Sequence, residues 1–157
     1  MKPSGVEEFL RRHRRIALDT SVFIFQIDGN PAYLDLVRPI FRWLEGPSGA
    51  AVTSTITMLE VLVHPYRSGE VDRVDECYAL LSTYPHLDWV APTLEIADRA
   101  ARLRAEYRLA TPDAIQAATA LLCGAPALIS NDDAFRRVRG LDLLILHDMW
   151  ESASRPE

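Results

Sequence analysis

The stretch Arg15-Ile-Ala-Leu-Asp-Thr-Ser-Val-Phe-Ile24 decides how this chain is read. Ile16, Ala17 and Leu18 form a short apolar run that stops at a carboxylate, Asp19, and two hydroxyls follow, Thr20 and Ser21. A short apolar run closed by polar groups suits a buried central strand of a parallel sheet. The acid then stands at that strand's carboxyl end, where open α/β sheets place their ligands. A carboxylate so close to a buried strand is costly unless something positive neutralises it. For the rest of the chain, the question is which groups come to meet Asp19.

On the amino side, residues 1–15 are polar and carry the basic cluster Arg11-Arg-His-Arg-Arg15. That pattern fits the solvated end of a short helix starting near Gly5, or a contact with phosphate or a partner. On the carboxyl side, Ser21 to Ile27 begins a helix broken by Asp28-Gly-Asn-Pro31. A helix restarts at Ala32, with Leu34, Val37, Ile40, Phe41 and Leu44 in period, and ends at Gly46-Pro-Ser-Gly49. Ala50 to Thr53 reads as a second strand. Ser54 or Thr55 can cap a helix over Ile56 to Val63 that stops at His64-Pro65. Val71 to Ser82 is a further helix with Val71, Val74, Tyr78 and Leu81 on one face, and Leu87 to Val90 is a third strand.

Thr93 caps a long amphipathic helix through Arg108, with Leu94, Ala97, Ala101 and Leu103 inward and Glu95/Arg99 and Asp98/Arg102 paired outward. Thr111-Pro-Asp113 opens the next helix, through Leu122, with Thr111 at the cap and Pro112 at the first helical position. Ala127 to Ser130 and Leu143 to Leu146 complete five strands, with a short helix over Asp133 to Val138 between them. Tyr33, Trp43, Tyr78 and Trp89 fall at core periodicities. Strands alternating with helices imply βαβ units, an α/β protein with a parallel sheet covered on both faces.

With 157 residues, 48% hydrophobic and 25% charged, the chain has the size and composition of one globular domain spanning 1–157. Residues 1–14 form a basic extension of it and 152–157 a frayed tail. No apolar run reaches the length of a membrane span and no signal-type start is visible, so no membrane contact is expected and the chain is read as cytoplasmic. Cys77 and Cys123 lie far apart without metal-type spacing and read as thiols. A net charge of −5 argues against broad, nonspecific nucleic-acid binding but leaves room for a local basic groove. The positive charge is almost all arginine; Lys2 is the one lysine in the sequence.

Four acids stand where chemistry would need them. Asp19 ends the first strand, Asp113 lies in the first turn of a helix, and Asp132 follows the strand that ends at Ser130. Glu60 sits inside the apolar sequence Met58-Leu-Glu-Val-Leu62, where a surface helix would have had polar neighbours. Singly, Asp113 could serve the helix dipole, Asp132 a turn, and Glu60 an arginine partner. Together they would repel, and they stay ionised only around a cation. Oxygen ligands without His or Cys favour a hard ion, Mg²⁺ or Mn²⁺. Such a site activates water and neutralises charge on a phosphodiester, which makes metal-dependent phosphoryl chemistry the physical reading.

The stretches Leu18-Asp-Thr-Ser-Val-Phe-Ile24, Thr57-Met-Leu-Glu-Val-Leu62, Thr111-Pro-Asp-Ala-Ile-Gln-Ala-Ala-Thr119 and Ile129-Ser-Asn-Asp-Asp-Ala-Phe135 resemble the PIN domain. More narrowly, they resemble the VapC-type toxins of bacterial toxin–antitoxin pairs. The resemblance covers roughly residues 15 to 147; no single motif is specific, but the four in this order are strong together. It implies a three-layer α/β/α fold with a five-stranded parallel sheet. It also implies a divalent-metal ribonuclease (Mg²⁺ or Mn²⁺) that leaves a 3′-hydroxyl and a 5′-phosphate, a small VapB-like antitoxin partner, and a homodimer.

Carried over by position, Asp19, Glu60, Asp113 and Asp132 match the family's acidic set, with Asp19, Asp113 and Asp132 on the metal and Glu60 orienting water. Ser21 matches its small polar position. At Asn131-Asp-Asp133 the metal is assigned to Asp132 and helix capping to Asp133, with the reverse also open. Tyr66, Arg67 and Arg136 are weaker candidates for RNA contact, along with Arg137 and Arg139. His64 reads as a helix-end residue.

Two phosphoryl-transfer rivals fail on chemistry. A haloacid-dehalogenase-type enzyme would want a second Asp at position 21, which is Ser, and a late lysine that the chain lacks. A receiver-type domain fails for the same lysine. The remaining alternative is a non-catalytic PIN-like module that holds RNA or metal without cutting.

Overall fold

In the computed structural model, residues 4–155 are described; residues 1–3, which include Lys2, and 156–157 lie outside. Five parallel strands form one sheet: β1 (Ile16–Leu18), β2 (Ala51–Ser54), β3 (Leu87–Val90), β4 (Ala127–Ser130) and β5 (Asp142–Ile145), in the order β3-β2-β1-β4-β5. Ile16 pairs with both Ala51 and Ala127, so β1 is the centre. Chain order runs outward from β1 in one direction and resumes from β4 in the other. The β1/β4 boundary is therefore the switch point, where open sheets leave a crevice beyond the strand ends.

Period-two alternation sends successive side chains to opposite layers. Ile16, Leu18, Ala127 and Ile129 face a core shared with α1 (Gly5–Arg12), α2 (Thr20–Asp28), α3 (Leu34–Glu45), α4 (Ile56–Arg67), α5 (Val71–Ser82) and α8 (Leu146–Ser154). Ala17, Val52 and Leu128 face a second core under α6 (Leu94–Tyr107) and α7 (Thr111–Leu122). The result is the expected three-layer α/β/α arrangement. In α7 the buried face is mostly alanine (Ala114, Ala117, Ala118, Ala120), which lets its backbone lie close on the central strands.

Several local expectations shift. Helix α4 does not stop at His64-Pro65 but runs through a buried Pro65 to Arg67. The proline removes one helical bond, while the amides of Ser68, Gly69 and Glu70 close the helix end on His64, Tyr66 and Pro65 carbonyls. In α5 the buried face is Val74, Cys77 and Leu81, and both Val71 and Tyr78 are exposed. In α6 it is Ile96, Ala100 and Leu103, with Leu94 92% exposed; Asp98–Arg102 forms at 3.1 Å. Among the described residues Glu95 and Arg99 make no such pair. Positions i+3 and i+4 both satisfy a helical period, and the sheet surface selected between them. Ala110, not Thr111, stands at the N-cap position of α7, and Leu146, expected to end the fifth strand, instead opens α8, a helix the sequence did not announce, which runs through Ser154 where a frayed tail was expected from 152.

The basic cluster lies at the amino ends of the strands, opposite Asp19. Arg15 donates to the Cys123 carbonyl at 2.5 Å and to Asp88 at 2.6 Å, His13 pairs with Asp142 at 2.6 Å, and Arg12 stacks over Phe9. These contacts tie the entry of β1 to β3, to the turn before β4 and to β5. The helix expected near Gly5 is α1, with Ser4 and Glu7 forming a capping box.

Gly49, in the turn between α3 and β2, allows the tightest approach in this fold: a Cβ there would lie 2.2 Å from the Trp43 carbonyl oxygen. Gly49→Ala is expected to lower stability by about 1–3 kcal/mol, read from urea unfolding, because the obstacle is backbone that cannot rotate away.

Candidate active site

Four elements deliver the four acids to one end of the sheet. Asp19 leaves β1 and starts α2; its own amide still bonds the Ile129 carbonyl at 3.0 Å, which continues the β1–β4 pairing by one residue. Its carboxylate is buried, and the Ser130 hydroxyl at the end of β4 donates to Oδ2 at 2.7 Å. Burial pushes the Asp19 carboxyl up to about 6; the Ser130 hydroxyl and the Thr20 amide pull it down, and Glu60 and Asp132 push it up again.

Asp113 reaches the same place from the first turn of α7. Its approach is set by Arg104, which donates to the Leu109 carbonyl at 3.0 Å and to the Thr111 hydroxyl at 2.9 Å across the α6–α7 turn. The Asp113 carboxyl is pushed up to about 7, first by burial and then by the negative charges of Asp132 and Asp19. Glu60 adds to the same repulsion from α4, and the Thr20 hydroxyl donates to its Oε1 at 2.8 Å.

The loop after β4 is fixed from several sides. The Asp132 amide donates to the Ser130 hydroxyl at 3.0 Å, the Asn131 amide to the Ser21 hydroxyl at 3.0 Å, and the His147 amide of α8 to Asn131 Oδ1 at 2.8 Å. Asp132 Oδ1 accepts from the Ala134 amide at 2.8 Å, so Asp132 caps the 3₁₀ turn Asp133–Arg137. The capping role expected of Asp133 therefore falls to Asp132, which at the same time faces Asp113. Asp133 instead pairs with Arg136 at 2.8 Å.

The weaker candidates fall elsewhere. Ser21 braces the Asn131 loop and lies 3.5 Å from Asp19 Oδ2. Arg136 is held between Asp133 and both oxygens of Asp148, on the outside. Arg137 reaches the Tyr107 and Arg108 carbonyls at 3.4 Å, and Arg139 is exposed. Tyr66 and Arg67 line an open, mostly apolar groove of about 720 Å³ with Leu59, Val63, Tyr78 and Trp89; none of the four acids borders it. Tyr78, expected in the core, is a wall of that groove. His64 is an exposed residue of α4's last turn. The sequence reading missed Thr20 and Ser130 as partners of the acids, and Asn131 as the brace of the loop that carries Asp132. Their only signal is adjacency to Asp19 and Asp132 in the chain.

Among the described residues, no three His, Cys, Asp or Glu side chains are drawn together at metal-ligand spacing. The acids nonetheless act on one another through charge. Glu60 and Asp132 push Asp19 up beyond the effect of burial, and Asp132 and Asp19 do the same to Asp113. The donor set, carboxylates without His or Cys, fits a hard divalent cation.

The PIN domain family model matches residues 16–141. Solved structures of similar fold include a toxin–antitoxin complex from Klebsiella pneumoniae, 26% identical with a TM-score of 0.64, covering 83% of this chain and 97% of that one. VapBC2 from Rickettsia felis bound to a DNA fragment from their promoter is 16% identical, with a TM-score of 0.65 and coverages of 83% and 98%. VapBC-5 from Mycobacterium tuberculosis is 21% identical, with a TM-score of 0.57 and coverages of 85% and 99%. No curated protein sequence matches. No helix among the described residues is long and apolar enough to cross a membrane.

The raised acids make the metal-free protein pH-sensitive in a defined direction. Asp19 holds a proton in the folded state up to about 6, whereas an ordinary carboxyl releases it near 3.8. The stability it contributes is full below the lower value and lost as pH rises through the upper one, about 3 kcal/mol by linkage. Asp113 carries the same trend towards pH 7. In EDTA, Asp19→Asn should therefore be more stable than the parent at pH 7.5 and lose that advantage at pH 4, measured by thermal unfolding.

Proposed function

We propose that this chain, which belongs to the PIN domain family, is a divalent-metal-dependent ribonuclease and the toxin of a VapBC-type toxin–antitoxin pair. The observation that carries the nuclease reading is the convergence of Asp19, Asp113, Asp132 and Glu60 at the β1/β4 switch point, where the first two are raised by one another's neighbours and by burial. The toxin reading is supported by the likeness to the Klebsiella pneumoniae toxin–antitoxin complex and to VapBC structures.

Asp19, Asp113 and Asp132 would hold Mg²⁺ or Mn²⁺. Bound there, the ion would neutralise charge building on a phosphodiester and lower the pKa of a water. Glu60 has one oxygen anchored by the Thr20 hydroxyl; its other oxygen would orient the attacking water and take its proton. Ser130 keeps the Asp19 carboxylate aimed out of the sheet by holding Oδ2. In-line attack on RNA would then leave a 3′-hydroxyl and a 5′-phosphate.

A protein partner has physical support in the exposed side chains of Leu59, Val63, Tyr66 and Tyr78 on α4 and α5, a contiguous apolar surface around the 720 Å³ groove. A VapB-like antitoxin is the partner this reading assigns, and a homodimer the assembly.

Purified protein free of antitoxin should cleave RNA when Mn²⁺ or Mg²⁺ is present. EDTA should abolish cleavage, and Asp19→Asn should reduce it at least about a hundredfold, in line with removal of a principal electrostatic group. RNA bound at matching affinity but left uncut by the parent protein would instead establish a binding module. Full activity in Asp19→Asn would overturn the site assignment.

A further inference from the structure

Beneath the acids lies a run of buried polar side chains of which the nuclease reading uses only Thr20. Gln116 on α7, Thr57 on α4, Thr53 on β2 and Thr20 on α2 are all 5% exposed or less. Gln116 Oε1 accepts from the Ser54 amide at 3.2 Å, and because an amide N–H can only donate, this sets the orientation of the side chain. Gln116 Nε2 then donates to the Thr57 hydroxyl at 2.7 Å. The Thr53 hydroxyl donates to the Leu18 carbonyl at 2.8 Å, so at the 2.7 Å contact between Thr53 and Thr57 the proton must come from Thr57. The Thr20 hydroxyl stands 3.3 Å from the Thr57 oxygen and 2.8 Å from Glu60 Oε1 and can donate to either; the shorter contact, to a carboxylate, is the stronger.

The positions of these residues in the chain give the network its meaning. Gln116 lies one helical turn after Asp113, and Thr57 one turn before Glu60. Leu18 immediately precedes Asp19, and Thr20 immediately follows it. We infer that Gln116 and Thr57 are positioning residues: their hydrogen-bond chain ties β1, α4 and α7 together one layer below the surface and so fixes the mutual placement of Asp19, Glu60 and Asp113. A satisfied polar chain suits this task better than apolar packing, because hydrogen bonds have direction and a slid helix would leave buried donors unpaired. The Ala-rich face of α7 supplies close approach but little register of its own.

The consequence for metal binding rests on the nuclease reading; the geometry does not. Thr57→Val removes the hydroxyl and keeps the shape, and Thr57→Ser keeps the hydroxyl. In metal-free protein with wild-type circular dichroism, Thr57→Val should shift the side-chain carboxyl ¹³C resonances of Asp19, Glu60 and Asp113 together. The carboxyls of Asp28 and Asp142, outside the network, should stay in place. Mn²⁺ affinity measured calorimetrically should fall about tenfold or more, as when the groups that orient metal ligands are removed. Thr57→Ser should restore both readouts.

A Thr57→Val protein with a lower Tm but unmoved resonances and unchanged Mn²⁺ affinity would show that the network only supports the core, and the inference would be wrong. Should Thr57→Val fail to fold, Gln116→Met is read by the same criteria. If the parent protein binds no Mn²⁺, the metal reading fails, while the three resonances still decide for or against the network.

Discussion

A carboxylate enclosed at the end of a central strand is the constraint on which this structure turns. Asp19 is buried between β1 and β4, and its main neighbours are a hydroxyl, an amide and other acids, with no cation prominent among them. Such a group is expensive in a low-dielectric surrounding unless it keeps its proton or gains a counter-charge. Arg15 and His13 fasten the opposite end of the sheet, and Arg136, close in the chain to Asp132, is held by Asp133 and Asp148.

The two ends of the sheet divide stability from function. At the amino ends, ion pairs and side-chain to carbonyl bonds link strand entries that are distant in sequence; several are exposed and individually modest. At the carboxyl ends, backbone amides are satisfied by hydroxyls and carboxylates in place of the strand ladder. Ser130, Ser21, Asn131 and Asp132 each take a bond that a regular element would have made. Local rules give way there, at the end of the sheet where the four acids lie, as they commonly do at functional sites.

Much of the fold was legible because burial writes itself into short strings. Ile16–Leu18 and Ala127–Ser130 are buried on both faces, so they read as unbroken apolar runs, and the breaks around Gly29 and Gly46 fall where helices end. The acid set was legible for the same reason in reverse: Glu60 and Asp19 are polar among apolar neighbours. Helix faces were less so. Val74 can continue to Cys77 or to Tyr78 with equal periodicity, and only the sheet's surface decides. Pro65 looked like a helix stop because a proline's cost is local, whereas the burial that offsets it is not.

By itself, then, the sequence determined the class of fold, the five strands with most of the helices between them, and which four acids to look for, since these depend on residue type and near neighbours. Tertiary structure alone decided how the acids relate. That Asp132 and Asp19 bear on Asp113, that Asp132 and not Asp133 caps the turn, and that Ser130 rather than Ser21 makes the short bond to Asp19 all follow from strand register and helix placement. The Gln116–Thr57–Thr53 chain belongs with them. Its members are separated by 59 residues between Gln116 and Thr57, and no local pattern marks them as partners. A hydrogen bond tolerates only a few tenths of an ångström around its preferred donor–acceptor separation of about 3 Å, and only the assembled sheet brings distant residues to that precision.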